Sequence, residues 1–420
     1  MESTAIVTAK HVLFTVGIVL ASGSVVGFIA EKIRVPDIVL FLVAGILLGP
    51  EVGGVINISA GSALNQIILI FGASYILFDG GVTVDLKVLK DVWVSLVVLA
   101  TIGVLITAFV VGFTAQYVFN IPFMVALLMG SVIAATDPAT LVPVFKQVSI
   151  RDRVSHLVMS ESALNDAMGA IITVTVLAII QQGSGSFSAA SSLGQLGQEA
   201  GIGILIGLIS GYLAVLLTAH ERYGFLREYI PLVTLIAVVG GYLGAEVENA
   251  SGYMAAFVAG LVIGNKELLG FGLEPGEERE LDEFIETTSL IMRMFIFILL
   301  GSQVNFHLLN AYWVGGIIVV AVFMLIARPL TIFICCLPDR HAKWSFKEMV
   351  FFCWVRETGV IPSALAGLLL GIHAPHAQLI ASVTFMAVMI TILLQATTTK
   401  WVGEKLGLLV ELPATEAEEA

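Results

Sequence analysis

Two carboxylates lie within a single apolar segment of this sequence, in the stretch 160–166 (SESALND). An ionisable side chain at membrane depth costs about 2.5 to 3.5 kcal/mol on insertion scales, so it marks a functional site by default. On a helix, Ser162 and Asp166 share one face, and Glu161 and Asn165 share a neighbouring face, because side chains four apart are aligned. One helix is therefore predicted to present two polar rows inside a membrane. The structural alternative, a charge pair that only locks helix packing, applies chiefly to Glu161.

A second polar stretch, Thr136-Asp137-Pro138, interrupts another apolar segment. Because proline removes an intrahelical hydrogen bond and clashes with the preceding turn, a helix is predicted to break there and to offer backbone carbonyls as ion ligands. A short basic loop connects this segment to the one that contains Asp166, so the two helices are predicted to be antiparallel neighbours. Two carboxylates and the hydroxyl oxygens of Thr136 and Ser162 would form an all-oxygen cage, which suits a hard cation such as Na⁺. Cysteine and histidine are absent from it, which disfavours a transition metal.

Asp166 has the properties of a carrier that alternates between a proton and a cation. Burial favours the protonated form of a carboxylate, whereas a bound cation favours the ionised form, so the two ligands exclude each other. If the empty, charged site cannot cross the membrane, the protein must exchange one ion for the other, which is antiport. Because neutral Asn165 stands beside Asp166, one carboxylate is the simplest proton carrier and one-for-one exchange the simplest stoichiometry. No cofactor is expected beyond the transported Na⁺ and H⁺.

Glu161 requires a cation of its own inside the membrane. Arg328, which precedes Pro329 in a later apolar segment, is the preferred partner, and Arg356 is the second choice. A fixed pair of Glu161 and Arg328, hydrogen-bonded by Asn165, would orient the helix without taking part in transport.

Asp79 ends the third predicted helix, in the sequence LFDGG. It is predicted either to attract cations to a cytoplasmic funnel or to be an ordinary charge at a helix end.

The composition is that of a membrane protein that crosses the bilayer many times. Of the 420 residues, 58% are hydrophobic and only 12% are charged, whereas soluble domains have about 25% charged residues. The formal net charge of −12 argues against a nucleic-acid partner, which requires basic patches. The expected surroundings are a lipid bilayer, and the expected ligands are monovalent cations.

Thirteen segments are long and apolar enough to be predicted as spans. Lysine and arginine accumulate in alternate loops, which predicts an N-terminus outside and a C-terminus in the cytoplasm. The predicted spans cover roughly 11–30, 36–56, 63–81, 92–117, 122–146, 153–180, 199–219, 229–247, 252–266, 284–306, 311–337, 347–371 and 376–400.

Thirteen spans suit two inverted six-helix repeats joined by a linking helix, a plan that places the site at the midplane on discontinuous helices. Helix 5 would then match helix 12, and helix 12 has its own break signal between Arg356 and Pro362. We find no convincing residue-level similarity between the halves, so the symmetry is predicted from the span count and the break positions. The predicted fold class is all-α, with crossed discontinuous helices 5 and 12.

Together these motifs resemble the NhaP-like branch of the cation/proton antiporter superfamily, which contains prokaryotic sodium/proton antiporters related to animal sodium/proton exchangers. The likeness covers about residues 12 to 400. It implies electroneutral exchange, a homodimer, and a core bundle that moves against a dimerisation scaffold. On this basis residues 1–400 form the transmembrane antiporter domain and 401–420 a short acidic cytoplasmic tail. The core bundle would include 122–180 and 311–400, and the dimerisation helices would include 11–30 and 199–219.

The resemblance also implies roles for the motif residues. Asp166 resembles the family's ion- and proton-binding aspartate. Asp79 stands where relatives often have glutamate, so its shorter side chain departs from the pattern. The supporting ligands would be Asp137, Thr136 and Ser162, and the ion-pair cluster would be Glu161, Asn165 and Arg328.

The sequence therefore predicts a secondary antiporter that exchanges cytoplasmic Na⁺ or Li⁺ for external H⁺ by alternating access, in the plasma membrane of a prokaryote. One alternative is a K⁺/H⁺ exchanger of the same fold, and another is an uncoupled cation channel. A third is an intramembrane aspartyl protease that uses Asp137 and Asp166. Proline directly after Asp137, and the lack of a Gly-x-Gly-Asp sequence at either aspartate, count against the enzyme.

Overall fold

The computed structural model describes residues 4–33, 35–136, 150–182, 189–219 and 224–409. Within these ranges the regular structure is helical, apart from one isolated antiparallel bridge between Ile150 and Leu409. Nine of the described helices are long and apolar enough to cross a membrane, and four further apolar helices are shorter. The prediction of an all-α protein with many spans is confirmed, while the count of thirteen spans stays a prediction.

The helices are numbered here in chain order. They are α1 Thr4–Ile33, α2 Asp37–Leu48, α3 Ala63–Val82, α4 Trp93–Phe119, α5 Phe123–Ala134, α6 Asp152–Gln182, α7 Ala189–Ala219, α8 Ile230–Val247, α9 Gly252–Gly264, α10 Pro275–Ser302, α11 Phe306–Cys336, α12 Phe346–Trp354, α13 Val360–Gly371 and α14 Ala377–Leu406.

α10 begins earlier than the hydropathy pattern predicts, at Pro275 rather than near residue 284. Pro275 occupies its first turn, and Glu274 and Glu277 form a capping box there. Such residues favour the start of a helix whether or not the residues that follow are apolar. Counting apolar residues, by contrast, finds only the part of the helix that suits a bilayer.

The second predicted helix break is present in the structure, and at the first the structure describes where α5 ends. α5 ends at Ala134, and Ala135 is already extended. The second break separates α12 from α13, and its residues 355–359 are all buried. Pro362 lies in the first turn of α13, where proline is tolerated, so the chain unwinds before the proline rather than at it.

Glycines let α10 approach α2 closely. A Cβ atom on Gly45 of α2 would lie 2.3 Å from the carbonyl oxygen of Ile298, and one on Gly301 of α10 would lie 2.3 Å from that of Leu42. No side chain larger than hydrogen fits at either position without moving the backbones apart.

The same contacts recur between α3 and α9. A Cβ atom on Gly260 of α9 would lie 2.0 Å from the carbonyl oxygen of Phe78, and one on Gly81 of α3 would lie 2.1 Å from that of Phe257. In both crossings the blocking carbonyl stands three residues before the facing glycine. The two crossings therefore follow the same pattern of glycine against carbonyl.

The repeated sequences are VAGILLG at 43–49 and VAGLVIG at 258–264. They lie in predicted helices 2 and 9, and the inverted repeat stays a prediction. The similarity is hard to see in sequence because it spans only seven residues of common membrane composition.

Candidate functional site

One polar row of α6 packs against the break that follows α5. The Ser162 hydroxyl donates a hydrogen bond to Thr136 Oγ1 at 2.8 Å, and both residues are buried. A Cβ atom on Gly169 would lie 2.9 Å from the Cβ of Ala135, so the backbones meet closely. Asp166 lies between these contacts along α6 and is only 4% exposed. Asp137 falls outside the described residues, so its part in the cage stays a prediction.

The other polar row of α6 holds a buried ion pair. The Glu161 carboxylate accepts hydrogen bonds from both terminal nitrogens of Arg328, with Nη2 at 2.9 Å from Oε2. Asn165 Nδ2 donates to Glu161 Oε1 at 3.0 Å. All three side chains are buried, and this two-pronged geometry is the strong form of a charge-assisted hydrogen bond. Arg328, the partner of Glu161 that the sequence favours, is thus the one that binds it.

Arg328 also donates hydrogen bonds to backbone carbonyls at the end of α12. Its Nε donates to the carbonyl of Phe352 at 2.8 Å, and its Nη2 donates to that of Val355 at 3.2 Å. These carbonyls belong to the last turn of α12, where helix geometry leaves acceptors without partners and where positive charge is favoured. A π-helical turn, Phe323–Ala327, directly precedes Arg328 in α11. Arg328 therefore ties α6 to the second break.

Arg356 binds a backbone carbonyl at the end of α5, as Arg328 does at the end of α12. Its Nη2 donates to the carbonyl of Ala134, the last residue of α5, at 2.5 Å. Its guanidinium carbon lies 5.3 Å from the ring centre of Phe323, a cation–π distance. The second-choice pairing of Arg356 with Glu161 is not the hydrogen bond that the structure forms. One buried arginine thus binds the C-terminal end of α5, and another binds that of α12.

Sequence reasoning passed over Glu357, which lies in the second break and is 1% exposed. Next to it, the backbone N–H of Thr358 donates to Thr391 Oγ1 of α14 at 3.0 Å. The sequence pattern of this stretch predicts a break and does not by itself assign a role to Glu357. The rule that singled out Glu161, an ionisable residue inside an apolar segment, also applies to Glu357.

The end of α3 lies close to α6, the helix that contains Glu161 and Asp166. A Cβ atom on Gly80 would lie 3.3 Å from the Cβ of Ala163 of α6, and neighbouring Asp79 is half-buried. Whether Asp79 guides cations stays a prediction.

Ser162 and Thr136 place hydroxyl oxygens beside the end of α5, and Asp166 lies one turn further along α6. That these groups hold a monovalent cation stays a prediction. A helix with two buried carboxylates, packed beside helix ends that buried arginines cap, is typical of an ion-coupled secondary transporter built on discontinuous helices.

The transmembrane profile of the sodium/hydrogen exchanger family matches residues 18–405, and the chain belongs to that family. It is a family of transporters, which sets the protease alternative aside.

The chain is similar to several prokaryotic antiporters. It is 33% identical over 359 residues to Na(+)/H(+) antiporter 1 of Methanocaldococcus jannaschii, covering 83% of this chain and 81% of that protein. It is 27% identical over 387 residues to the K(+)/H(+) antiporter NhaP2 of Shewanella sp. strain MR-4, covering 91% of this chain but only 65% of that longer protein. The solved structure of the sodium proton antiporter MjNhaP1 from M. jannaschii at pH 8 matches with a TM-score of 0.83 and 31% identity, covering 93% of this chain and 97% of that one.

Proposed function

We propose that this protein exchanges Na⁺ or Li⁺ for H⁺, one for one, by alternating access at Asp166. The observation that carries the proposal is a carboxylate only 4% exposed, on a helix that packs against a broken helix beside two hydroxyl oxygens. Such a group holds a proton or a cation, but not both. The relative and the solved structure that are named as sodium/proton antiporters support Na⁺ as the cation.

Exchange of K⁺ for H⁺ is the second candidate, because the Shewanella relative is named as a K⁺/H⁺ antiporter. The two are distinguished in proteoliposomes that enclose a pH-sensitive dye. We expect an imposed Na⁺ gradient to change the lumenal pH and an equal K⁺ gradient to have much less effect. A larger response to K⁺ would support the second candidate.

Asp166→Asn tests the carrier. An amide neither releases a proton nor balances a cation, so we expect Na⁺-driven proton movement to be lost while the protein stays folded by size exclusion and melting temperature. The control is Asp85→Asn, which alters an exposed aspartate in the loop before α4. Normal exchange by Asp166→Asn would remove Asp166 as the carrier.

We further propose a homodimer in the plasma membrane with the N-terminus outside. α1 and α7 are the least buried of the nine long helices that the structure describes, which supports them as the dimerisation helices. The division into this scaffold and a core bundle is part of the same proposal. Light scattering in detergent tests the dimer. Labelling of single cysteines introduced at Glu248 and Arg340 tests the orientation, with the first expected outside and the second inside.

A further inference from the structure

An apolar groove lies between the beginning of α4 and the middle of α9, away from the polar rows of α6. It is a cavity of about 250 Å³. One wall comes from α4 and the other from α9, and the floor is a residue of α6. Its apolar lining includes Leu96 and Val97, Phe257 and Leu261, and Leu164, and the segment before α4 adds Val84, Leu86 and Leu89.

The mouth of the groove has the two residue types that mark a membrane interface. Trp93 is 56% exposed, and Lys90 beside it is exposed. Both line the groove. Tryptophan is enriched at the level of lipid headgroups, and lysine near the surface attracts anionic lipids.

Lys90 differs from its neighbour Lys87 in its charge environment. Lys87 Nζ lies 2.9 Å from the Glu267 carboxylate, so its charge is balanced. None of the ion pairs found among the described side chains includes Lys90. The groove therefore combines, at its mouth, a lysine that is in none of these ion pairs with an interior of hydrocarbon.

We propose that this groove binds one acyl chain of an anionic phospholipid, with the headgroup at Lys90. The exposed apolar side chains at its edge, Trp93 and Val97, make its surface continuous with the lipid-facing side of α4. A chain entering from the bilayer would reach Leu164, two residues before Asp166 on α6. Bound lipid would then contact both α6 and α9, and its effect on exchange rate rests on the function proposed above. The binding itself does not.

Tryptophan fluorescence tests the binding, because bromine atoms on an acyl chain quench nearby indoles. The purified protein is reconstituted with brominated phosphatidylglycerol or with brominated phosphatidylcholine at the same mole fraction. We expect stronger quenching by the anionic lipid, and we expect Trp93→Phe to remove that difference. The chain supplies a matched control, since Lys400 and Trp401 also form an exposed pair at a helix end but do not line the groove.

Two further variants distinguish binding of the lipid headgroup from binding of the acyl chain. Lys90→Gln is expected to abolish the preference for phosphatidylglycerol, whereas Lys400→Gln leaves it unchanged. Val97→Phe narrows the groove at an exposed position and is expected to weaken quenching of Trp93 by both lipids. Equal quenching of Trp93 by the two lipids, or the same loss in Lys90→Gln and Lys400→Gln, would overturn the proposal. These outcomes do not depend on transport, so they are distinguishable from failure of the antiport.

Discussion

Glu161 and Arg328 form a pair whose cost of burial is offset by complete hydrogen bonding. Burying either ion alone costs several kcal/mol, so the pair is stable only because each charge has close partners. The Arg328 guanidinium contacts Glu161 and two carbonyls of the second break, and Asn165 donates a further hydrogen bond to the Glu161 carboxylate. The pair therefore holds α6 and α12 in a defined arrangement beside the carrier.

The Glu161→Gln variant tests this at the level of one residue. It leaves the Arg328 charge buried without a counter-ion, and removing one member of a buried pair typically costs about 3 to 5 kcal/mol. We expect the melting temperature, followed by intrinsic fluorescence, to fall by several degrees. The control is Glu283→Gln, which breaks an exposed pair with Arg279 at 2.7 Å. Exposed pairs contribute little, so equal melting temperatures for the two variants would contradict the role of Glu161.

At the scale of elements, the glycine crossings position the helices on either side of the site. Both crossings bring backbone against backbone, where a methyl group cannot be accommodated by a rotamer change. Membrane helices use small residues in this way because tight packing replaces the hydrophobic driving force that is missing in lipid.

We expect Gly260→Ala to separate α3 from α9 and to lower both the yield of folded protein and its melting temperature. Gly45→Ala, at the matching position of the other half, should behave alike. Gly240→Ala in α8 is the control, because no atom lies within 4 Å of its Cβ position and alanine favours a helix by about 0.5 to 1 kcal/mol. A stable Gly260→Ala protein would show that the helices can move apart at no cost.

A second element, the loop after α11, is fastened to the start of α4. Asp339 Oδ2 accepts from the Ser95 hydroxyl at 2.5 Å, and Oδ1 accepts from the backbone N–H groups of His341 and Ala342. Trp344 Nε1 donates to Ser95 Oγ at 2.8 Å. Burial alone raises the pKa of Asp339, but these hydrogen bonds outweigh burial and hold the pKa below its ordinary value.

Asp339→Ala should therefore lower stability by about 1 to 3 kcal/mol, since it strands buried donors. A depressed pKa stabilises the fold above the ordinary value of about 3.9 and stops doing so as the pH falls through the folded-state pKa. The difference in melting temperature from the parent protein should be constant between pH 5 and 8 and shrink below about pH 4. Asp85→Ala, at an exposed carboxylate that caps Lys87 N–H, should have a smaller effect. A difference that vanished near pH 6 would exclude Asp339 as its source.

For the whole molecule, the question is how much charge moves in one cycle. Glu161 and Arg328 neutralise each other, and in the proposed cycle one carboxylate, Asp166, exchanges one proton for one monovalent cation. The proposed cycle thus carries no net charge across the membrane.

A membrane potential separates this cycle from electrogenic alternatives. One elementary charge moved across 100 mV changes the free energy by about 2.3 kcal/mol. We expect the equilibrium pH difference at a fixed Na⁺ gradient to be the same at zero potential and at about 100 mV, imposed with K⁺ and valinomycin. A shift of the equilibrium with potential would show that the cycle moves net charge across the membrane.

The amino-acid sequence alone determined the class of the protein, the end of α5, the position of the second break and the polar rows of α6. Hydropathy, proline and helical spacing act within about twenty residues, so they can be interpreted without knowing the neighbours. The pairing of Glu161 with Arg328 was also predictable, because few buried cations are available to a buried carboxylate in lipid.

Only the tertiary structure decided which partner each remaining group meets. Arg356 caps Ala134 rather than Glu161, Glu357 is enclosed, and four glycines face carbonyls of helices distant in sequence. These outcomes depend on which helices cross and at what depth. Nearly every segment of this chain is apolar enough to pack against any other, so close backbone contacts, rather than hydropathy, select the neighbours.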